Sequence, residues 1–188
     1  MAAVEGTKLS IIILSINKRR EFLDRILGVL RPQLTNDVEL LVSATGEKEA
    51  VGPKRQRLKQ AACGDYICFI DDDDMVSEDY VCRILKAVKE NPAVDCVGFK
   101  GTLECPNGKV YRVSYSLRNM GKMGRRNDEF FCGVGHLTPI RRDIAQSVGF
   151  GDKNSGEDRD YCKLVMEKLR NEAFVDKVLY RYLARYNI

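Results

Sequence analysis

The sequence has no apolar run long enough to cross a lipid bilayer. The longest, Leu9–Leu14, spans six residues, whereas a transmembrane helix needs about 20. No signal peptide precedes this run. We therefore expect a protein that does not insert into membranes and that stays in the cytoplasm.

The sequence also has no Cys-x-x-Cys pair among its seven cysteines, and seven is an odd number. Both facts argue against a zinc site or a disulfide framework. Cys68, Cys82 and Cys96 fall within predicted strands or helices, as buried free thiols do. The pattern is typical of a protein from a reducing compartment.

No low-complexity tract, internal repeat or linker divides the 188 residues. This length suits a single domain with a sizeable core. The formal net charge of +4 is mild. It suits an anionic small ligand such as a nucleotide and does not require a nucleic acid partner.

What the chain does contain is a regular alternation of strand and helix patterns in its first 90 residues. That alternation predicts an α/β fold, a three-layer α/β/α arrangement around a mostly parallel central sheet. The predicted strands are Leu9–Ile16, Val38–Val42 and Tyr66–Ile70. The first predicted helix ends near Leu30, and the next two span Lys54–Ala62 and Ser77–Glu90.

The second half has a less regular pattern. A hairpin is predicted across the turn Pro106-Asn107-Gly108, and the glycine-rich basic segment Arg118–Asn127 is predicted to be a mobile loop. The other predicted elements are the strands Asp95–Phe99 and Val178–Tyr186, a short helix at Arg141–Val148, and a helix that begins at Glu157 and ends at Leu169.

Four consecutive carboxylates, Asp71–Asp74, follow the apolar strand Tyr66–Ile70. A buried strand cannot hold four unpaired charges, because each would cost several kcal/mol to desolvate. We therefore predict that the acids lie at the mouth of the sheet, where open α/β sheets bind ligands. Their oxygen atoms suit Mg²⁺ or Mn²⁺. The alternative is a solvated acidic turn before the next helix.

Two further polar segments are predicted to reach the same edge of the sheet. One is Ser15–Lys18, directly after the first strand, and the other is the basic helix start with Lys54, Arg55 and Arg57. Guanidinium groups beside metal-binding carboxylates make a site for a diphosphate. The alternative for the basic residues is a solvated helix face.

Glu157 and Asp158 stand at a predicted helix start, where acids are favoured by the helix dipole. Alternatively, one of them acts as a general base for an acceptor hydroxyl. His136 is the single histidine, and Gly133 and Gly135 beside it permit close backbone approach. It is either a structural residue or a metal or substrate ligand.

Together these segments resemble the family 2-like glycosyltransferases of the GT-A fold. The family's first strand ends in a Thr-Tyr-Asn-Arg-type segment, to which Leu14-Ser15-Ile16-Asn17-Lys18 corresponds. The family's motif Gly-Glu-Tyr-Ile-x-Phe-Leu-Asp-x-Asp-Asp is matched by residues 64–74. The Arg-Asn pair that precedes this motif in the family corresponds to Arg55-Gln56. The family's Glu-Asp motif is matched at Glu157-Asp158, and the resemblance covers about residues 8 to 186.

The resemblance implies a metal-dependent, inverting transfer of a sugar from a nucleotide-sugar donor to a hydroxyl acceptor. It implies that Asp73 binds Mn²⁺ or Mg²⁺, with Asp71 and His136 as further candidate ligands, and that Asp158 is the base with Glu157 next to it. The donor-binding residues would be Ser15, Asn17, Ser43, Lys54, Arg55, Asp71 and Asp72.

The resemblance also sets expectations for the two halves and the substrates. Residues 1–100 would bind the donor and 101–188 the acceptor. A UDP-sugar is favoured, although the loop Val42–Gly46 lacks the carboxylate with which family members contact the base. The acceptor would be a glycan, a small molecule or a modified DNA base. The last follows because a compact enzyme of this kind is similar to those encoded by phages and large viruses, which would act in the host cytoplasm.

Two alternatives stay open from the sequence. One is a nucleotidyl- or phosphotransferase, which also uses carboxylate-held metals. Another is a binding module that keeps the fold without catalysis. For a DNA acceptor, the pairs Arg125-Arg126 and Arg141-Arg142 would form the electrostatic contact surface.

Overall fold

A computed structural model describes residues 6–44 and 49–187. Ten strands form one mixed sheet, in the order β2-β1-β3-β9-β5-β6-β8-β7, with β10 paired to β5 and β4. The strands are β1 Leu9–Ser15, β2 Val38–Ala44, β3 Tyr66–Asp71, β4 Met75–Val76, β5 Cys96–Glu104, β6 Val110–Tyr115, β7 Gly124–Arg126, β8 Glu129–Cys132, β9 Ile140–Arg141 and β10 Glu172–Leu183. The helices are α1 Arg20–Leu30, α2 Val51–Ala61, α3 Tyr80–Glu90, α4 Arg142–Gln146 and α5 Glu157–Met166.

The strands β1 and β3 are apolar on both faces because helices cover both sides of the sheet. Side chains of a strand alternate between the faces. In β1, Ile11 and Ile13 pack into one buried cluster, whereas Ile12 packs into the other. Continuous apolar strands of this kind are typical of buried parallel sheets. The predicted α/β/α layering is confirmed.

The two buried clusters contain different helices. Helices α1 and α3 supply the first, through residues such as Ile26 and Ile84. Helices α4 and α5 supply the second, through residues such as Ile144 and Val165. Parallel pairing joins β2, β1 and β3, and also β5 and β10, while antiparallel pairing connects these groups through β9.

Several predicted boundaries were wrong. The helix expected from Ser77 begins at Tyr80, because Met75–Val76 pairs with β10 as a short strand. The last strand begins at Glu172, six residues before its predicted start. Helix α5 ends at Met166, three residues before its predicted end.

The segment 118–127 is not a structureless loop. It contains the end of a 3₁₀ turn, Leu117–Asn119, and the edge strand β7, which pairs with β8. The side-chain amide of Asn119 donates to the carbonyl oxygens of Ser114 and Cys132, at 2.9 Å each. This contact fixes the segment from within the fold, which its polar composition does not reveal.

The expected hairpin is confirmed, since β5 pairs antiparallel with β6, and Glu104 and Val110 form the pair beside the turn. Its turn contains Gly108 at a φ of +82°, a left-handed conformation that favours glycine. No helix among the described residues combines the length and the apolarity needed to cross a membrane.

Candidate active site

The carboxyl ends of β1 and β3 lie side by side, with Leu14 opposite Asp71 in the parallel ladder. Beside them lies a cleft of about 750 Å³. Its walls come from the residues after β1, the start of α2, the turn after β3, the start of α5 and the chain after β10. The predicted edge of the sheet therefore carries a concave site.

Asp71 is the last residue of β3, and its carboxylate is 31% exposed to the cleft. Nη2 of Arg55 donates to Asp71 Oδ1 at 2.8 Å, and Nε2 of His136 lies 3.6 Å from Asp71 Oδ2. Burial by itself raises the pKa of Asp71, but Arg55 and His136 outweigh burial and hold it well below its ordinary value. Asp71 is therefore ionised at neutral pH.

Arg55 is fixed by the groups around it. Its Nε lies 3.4 Å from Oε1 of Glu157, and its guanidinium carbon lies 5.2 Å and 5.9 Å from the ring centres of Phe69 and Phe150. Its side chain is only 8% exposed. Nη1 is buried and makes no hydrogen bond with the described residues. Buried polar groups are normally satisfied, so this nitrogen indicates a place for an anionic ligand.

Two of the four acids are buried and bonded within the protein. Asp72 Oδ2 accepts from Oγ of Ser15 at 2.6 Å. Asp74 Oδ2 accepts from the hydroxyl of Tyr180, and its Oδ1 from the backbone N–H of Leu183, both at 2.8 Å. Burial raises the pKa of Asp72 and raises that of Asp74 to about 7. Asp72 nevertheless lines the cleft, whereas Asp74 does not, so the prediction that all four acids lie at the mouth of the sheet was wrong for Asp74.

Asp73 faces the cleft between two arginines. Its Oδ2 accepts from Nη2 of Arg185 at 2.7 Å and lies 2.8 Å from Nη2 of Arg19. Arg19 also lies 2.6 Å from Oδ1 of Asp72. These two guanidinium groups neutralise the acidic turn.

Oxygen donors for a divalent cation are present, although the described residues contain no group of three His, Cys, Asp or Glu side chains arranged around a metal position. Asp71 and Asp73 both line the cleft. Mg²⁺ usually binds through one or two carboxylates together with substrate phosphates, and not in an all-protein cage. The chemistry of the donor set fits such a cation. His136 is buried and is placed beside Asp71.

The two acids predicted at the start of α5 lie in different environments. Glu157 is buried and lines the cleft beside Arg55. Asp158 is partly exposed, and its Oδ1 accepts from the backbone N–H of Arg159 at 2.7 Å. Asp158 forms no salt bridge with any described residue. Asp158 is not among the residues that line the cleft, and its role as a base stays a prediction.

The remaining predicted donor residues are placed as follows. Lys54 is buried and lines the cleft, which overturns the reading of its helix face as solvated. Ser43 is buried near the end of β2. Asn17 is exposed in a 3₁₀ turn and is not among the cleft-lining residues. Thr45 and Gly46, in the loop that lacks a carboxylate, lie outside the described residues.

Sequence reasoning missed Arg19, Tyr180 and Arg185. The run Lys18-Arg19-Arg20 directly after the first strand was a usable signal for Arg19. Tyr180 accepts a hydrogen bond from the backbone N–H of Asp71 at 3.2 Å. Neither it nor Arg185 could be placed without knowing that β10 returns beside the turn after β3.

The two basic pairs proposed for DNA do not form one surface. Arg125 and Arg126 lie exposed on the edge strand β7. Arg141 is paired with Asp95 at 2.9 Å, and Arg142 donates to a backbone carbonyl. The latter two line a separate hollow of about 1220 Å³ with Lys8, at the opposite edge of the sheet.

A comparison with protein families decides the classification. The model of the family described as "Glycosyl transferase family 2" matches residues 42–149, more than half of the chain. The chain belongs to glycosyl transferase family 2. The match includes β3 and the acidic turn, and α5 lies outside it. No curated protein sequence matches this family 2 chain.

Solved structures show the same fold. S. aureus TarS superimposes with a TM-score of 0.69 at 14% identity, covering 95% of this chain and 37% of TarS. TarS 1-349 in complex with UDP-GlcNAc gives 0.69 at 14% identity, covering 97% and 60%, and its complex with UDP gives 0.66 at 13% identity, covering 95% and 61%. This family 2 chain thus spans less than two thirds of these relatives. At an identity this low, the similarity to TarS shows a shared fold and nothing more.

Proposed function

We propose that the protein is a glycosyltransferase that moves a sugar from a nucleoside-diphosphate sugar to a hydroxyl acceptor. A UDP-sugar is the favoured donor. Membership of glycosyl transferase family 2 supports the reaction class, and the TarS complexes with UDP-GlcNAc and UDP, which share the fold, support the donor.

The observation that carries the proposal is the guanidinium of Arg55 in the cleft. It is buried, it is held by Asp71 and Glu157, and its Nη1 lacks a protein partner among the described residues. A diphosphate is the ligand that a fixed, buried guanidinium binds well, through charge-assisted hydrogen bonds. Lys54, buried in the same wall, adds a second cation.

Asp73 and Asp71 would hold Mn²⁺ or Mg²⁺ together with the donor phosphates. When bound, the cation would neutralise charge that develops on the leaving diphosphate. Arg55 stabilises the same charge from the protein side. Glu157 keeps the guanidinium oriented and is a positioning residue in this scheme.

Asp158 is the proposed base. It takes the proton of the acceptor hydroxyl, whose oxygen bonds to the anomeric carbon of the donor sugar. The bond from that carbon to the phosphate oxygen breaks, and the nucleoside diphosphate leaves with the bonding electrons. Attack on the face opposite the leaving group inverts the configuration.

The test is release of UDP from a panel of UDP-sugars, measured with and without Mn²⁺ in the presence of candidate acceptors. We expect release from one donor, dependent on the cation, and its loss in Asp158→Asn with UDP binding retained. Release of pyrophosphate in place of UDP would instead identify a nucleotidyltransferase. Binding of UDP without turnover of any donor or acceptor would identify a binding module.

A further inference from the structure

A second hollow, of about 420 Å³, opens next to the diphosphate cleft and differs from it in chemistry. It lies between β8, the segment that follows β8, and helix α5. Its walls are mainly aromatic rings, thioether and thiol sulfurs, and glycine backbone, including Phe130, Phe131, Cys162 and Met166. No acidic residue is among the described residues that line it.

The hollow adjoins the proposed catalytic groups in two ways. His136 lines it and lies 3.6 Å from Asp71 of the cleft. Helix α5 contributes Glu157 to the cleft and, one turn after Asp158, contributes Cys162 to the hollow. Asp158 lines neither the cleft nor the hollow, but it lies on α5 between Glu157 and Cys162, and its charge acts on the thiol of Cys162. A molecule in the hollow therefore lies beside the helix that carries the proposed base.

Tight packing fixes the position of the inner wall. A Cβ atom added at Gly133 would lie 2.3 Å from the sulfur of Met166, and one added at Gly135 would lie 2.1 Å from the sulfur of Cys162. Real Cβ atoms do not approach so closely, so a side chain at either position would force the sulfur-bearing side chains of α5 or the segment after β8 to move. The two sulfurs are thereby held against the glycine backbone at the apolar wall.

The rim carries two positive charges, and the acids Asp158 and Asp160 lie near it on the same helix. Arg159 and Lys163 line the opening from α5, and both are exposed. Neither forms a salt bridge with a described residue. The neighbouring acid Asp160 is paired with Lys153 at 2.7 Å. An apolar body inside the hollow and an anionic group at its mouth would satisfy both features.

We propose that this hollow binds the acceptor of the proposed transfer, and that the acceptor has an apolar body, aryl or alkyl, with an anionic group beside it. The assignment to an acceptor rests on the proposed function, since a glycosyltransferase requires one. An unmodified sugar is disfavoured as the group inside the hollow, because its hydroxyls would find few polar partners there. Arg159 and Lys163 bind the anion, and the sulfurs and aromatic rings bind the apolar body.

The experiment uses two fluorescent probes that share their rings and differ in charge. 1-Anilinonaphthalene-8-sulfonate has an aryl body with a sulfonate, and N-phenyl-1-naphthylamine has the same body without it. We expect the protein to bind both and to bind the sulfonate more tightly. The double change Arg159→Gln/Lys163→Gln should weaken the sulfonate about fivefold or more, and the neutral probe less than twofold.

Lys168→Gln is the matched control, since Lys168 is exposed near the end of α5 and does not line the hollow. It should leave both affinities unchanged. Cys162→Phe should place a ring in the hollow and weaken both probes at least tenfold, with UDP binding in the cleft retained as evidence of folding. If Cys162→Phe does not fold, the charge variants still decide the proposal.

Competition identifies the source of the acceptor chemistry. Displacement of the sulfonate probe by naphthyl phosphate indicates an aryl acceptor, and displacement by octyl phosphate a lipid-like one; either supports the proposal. Displacement by duplex DNA alone would overturn it, as would equal loss of both probes in the charge variants. Probe binding without UDP binding would instead overturn the proposed function, and UDP binding without probe binding would overturn only this inference.

Discussion

Replacement of Arg55 by methionine tests how the cleft binds a diphosphate. Methionine fills part of the same volume but removes the buried guanidinium, which is held by Asp71 and Glu157. A hydrogen bond to a charged group contributes about 1.5–3 kcal/mol. The dissociation constant for UDP should therefore rise about 10- to 150-fold, as measured by isothermal titration calorimetry with Mn²⁺ present.

The same change also affects folding, and the two effects can be separated. Glu157 would be left buried without its partner, at a cost of about 3 kcal/mol. Changing Glu157 to leucine as well should restore part of this stability, because no buried charge is then left at that position. It should not restore UDP binding, since no guanidinium is present to receive the phosphate.

Arg57→Met is the matched control for Arg55→Met. Arg57 lies on the same helix, is half-exposed and pairs with Glu49 outside the cleft. Its loss should change the affinity for UDP less than twofold. An unchanged UDP affinity in folded Arg55→Met, or an equal loss in Arg57→Met, would refute the assignment of the diphosphate to Arg55.

Three further predictions concern the base, the cation and a buried lysine. Asp158→Asn should lower transfer at least about 100-fold with UDP affinity within twofold; loss of UDP binding would place Asp158 in the donor site instead. Asp73→Ala should abolish the increase in UDP affinity that Mn²⁺ produces, by calorimetry, and an undiminished Mn²⁺ effect would disprove the metal role of Asp73. Lys59 is fully buried against Phe150 and Tyr161, and burial lowers its pKa to about 8. Between about pH 8 and 10.5 the lysine is therefore protonated in the unfolded chain but neutral in the folded protein. As pH rises through that window, the free energy of unfolding should increase by up to about 3 kcal/mol relative to that of Lys59→Met, as measured by urea unfolding. A difference that does not change with pH would show that the ring contacts offset burial.

The layered fold could be predicted because its signals are local. The apolar strand Tyr66–Ile70 is followed by a run of acids, and both appear in the sequence as continuous segments. The place of the acidic turn at the edge of the sheet follows from the same pattern, since parallel strands end together at one edge. The structure agrees for Asp71, Asp72 and Asp73.

The partners of the acids could not be predicted, because they come from distant segments. Asp74 is buried by Tyr180, which is 106 residues away in the chain, and Asp73 is paired with Arg185, 112 residues away. Burial of Lys59 depends in the same way on packing between α2 and the aromatic rings of Phe150 and Tyr161. Such contacts depend on which strands become neighbours, and a single sequence does not specify that.

The most direct test of the account is a crystal structure of the protein soaked with UDP and Mn²⁺. We expect the diphosphate within hydrogen-bond distance of Nη1 of Arg55, and an anomalous manganese peak between the phosphates and Asp73. A diphosphate bound elsewhere, for example in the hollow beside Lys8 at the opposite edge of the sheet, would contradict the account.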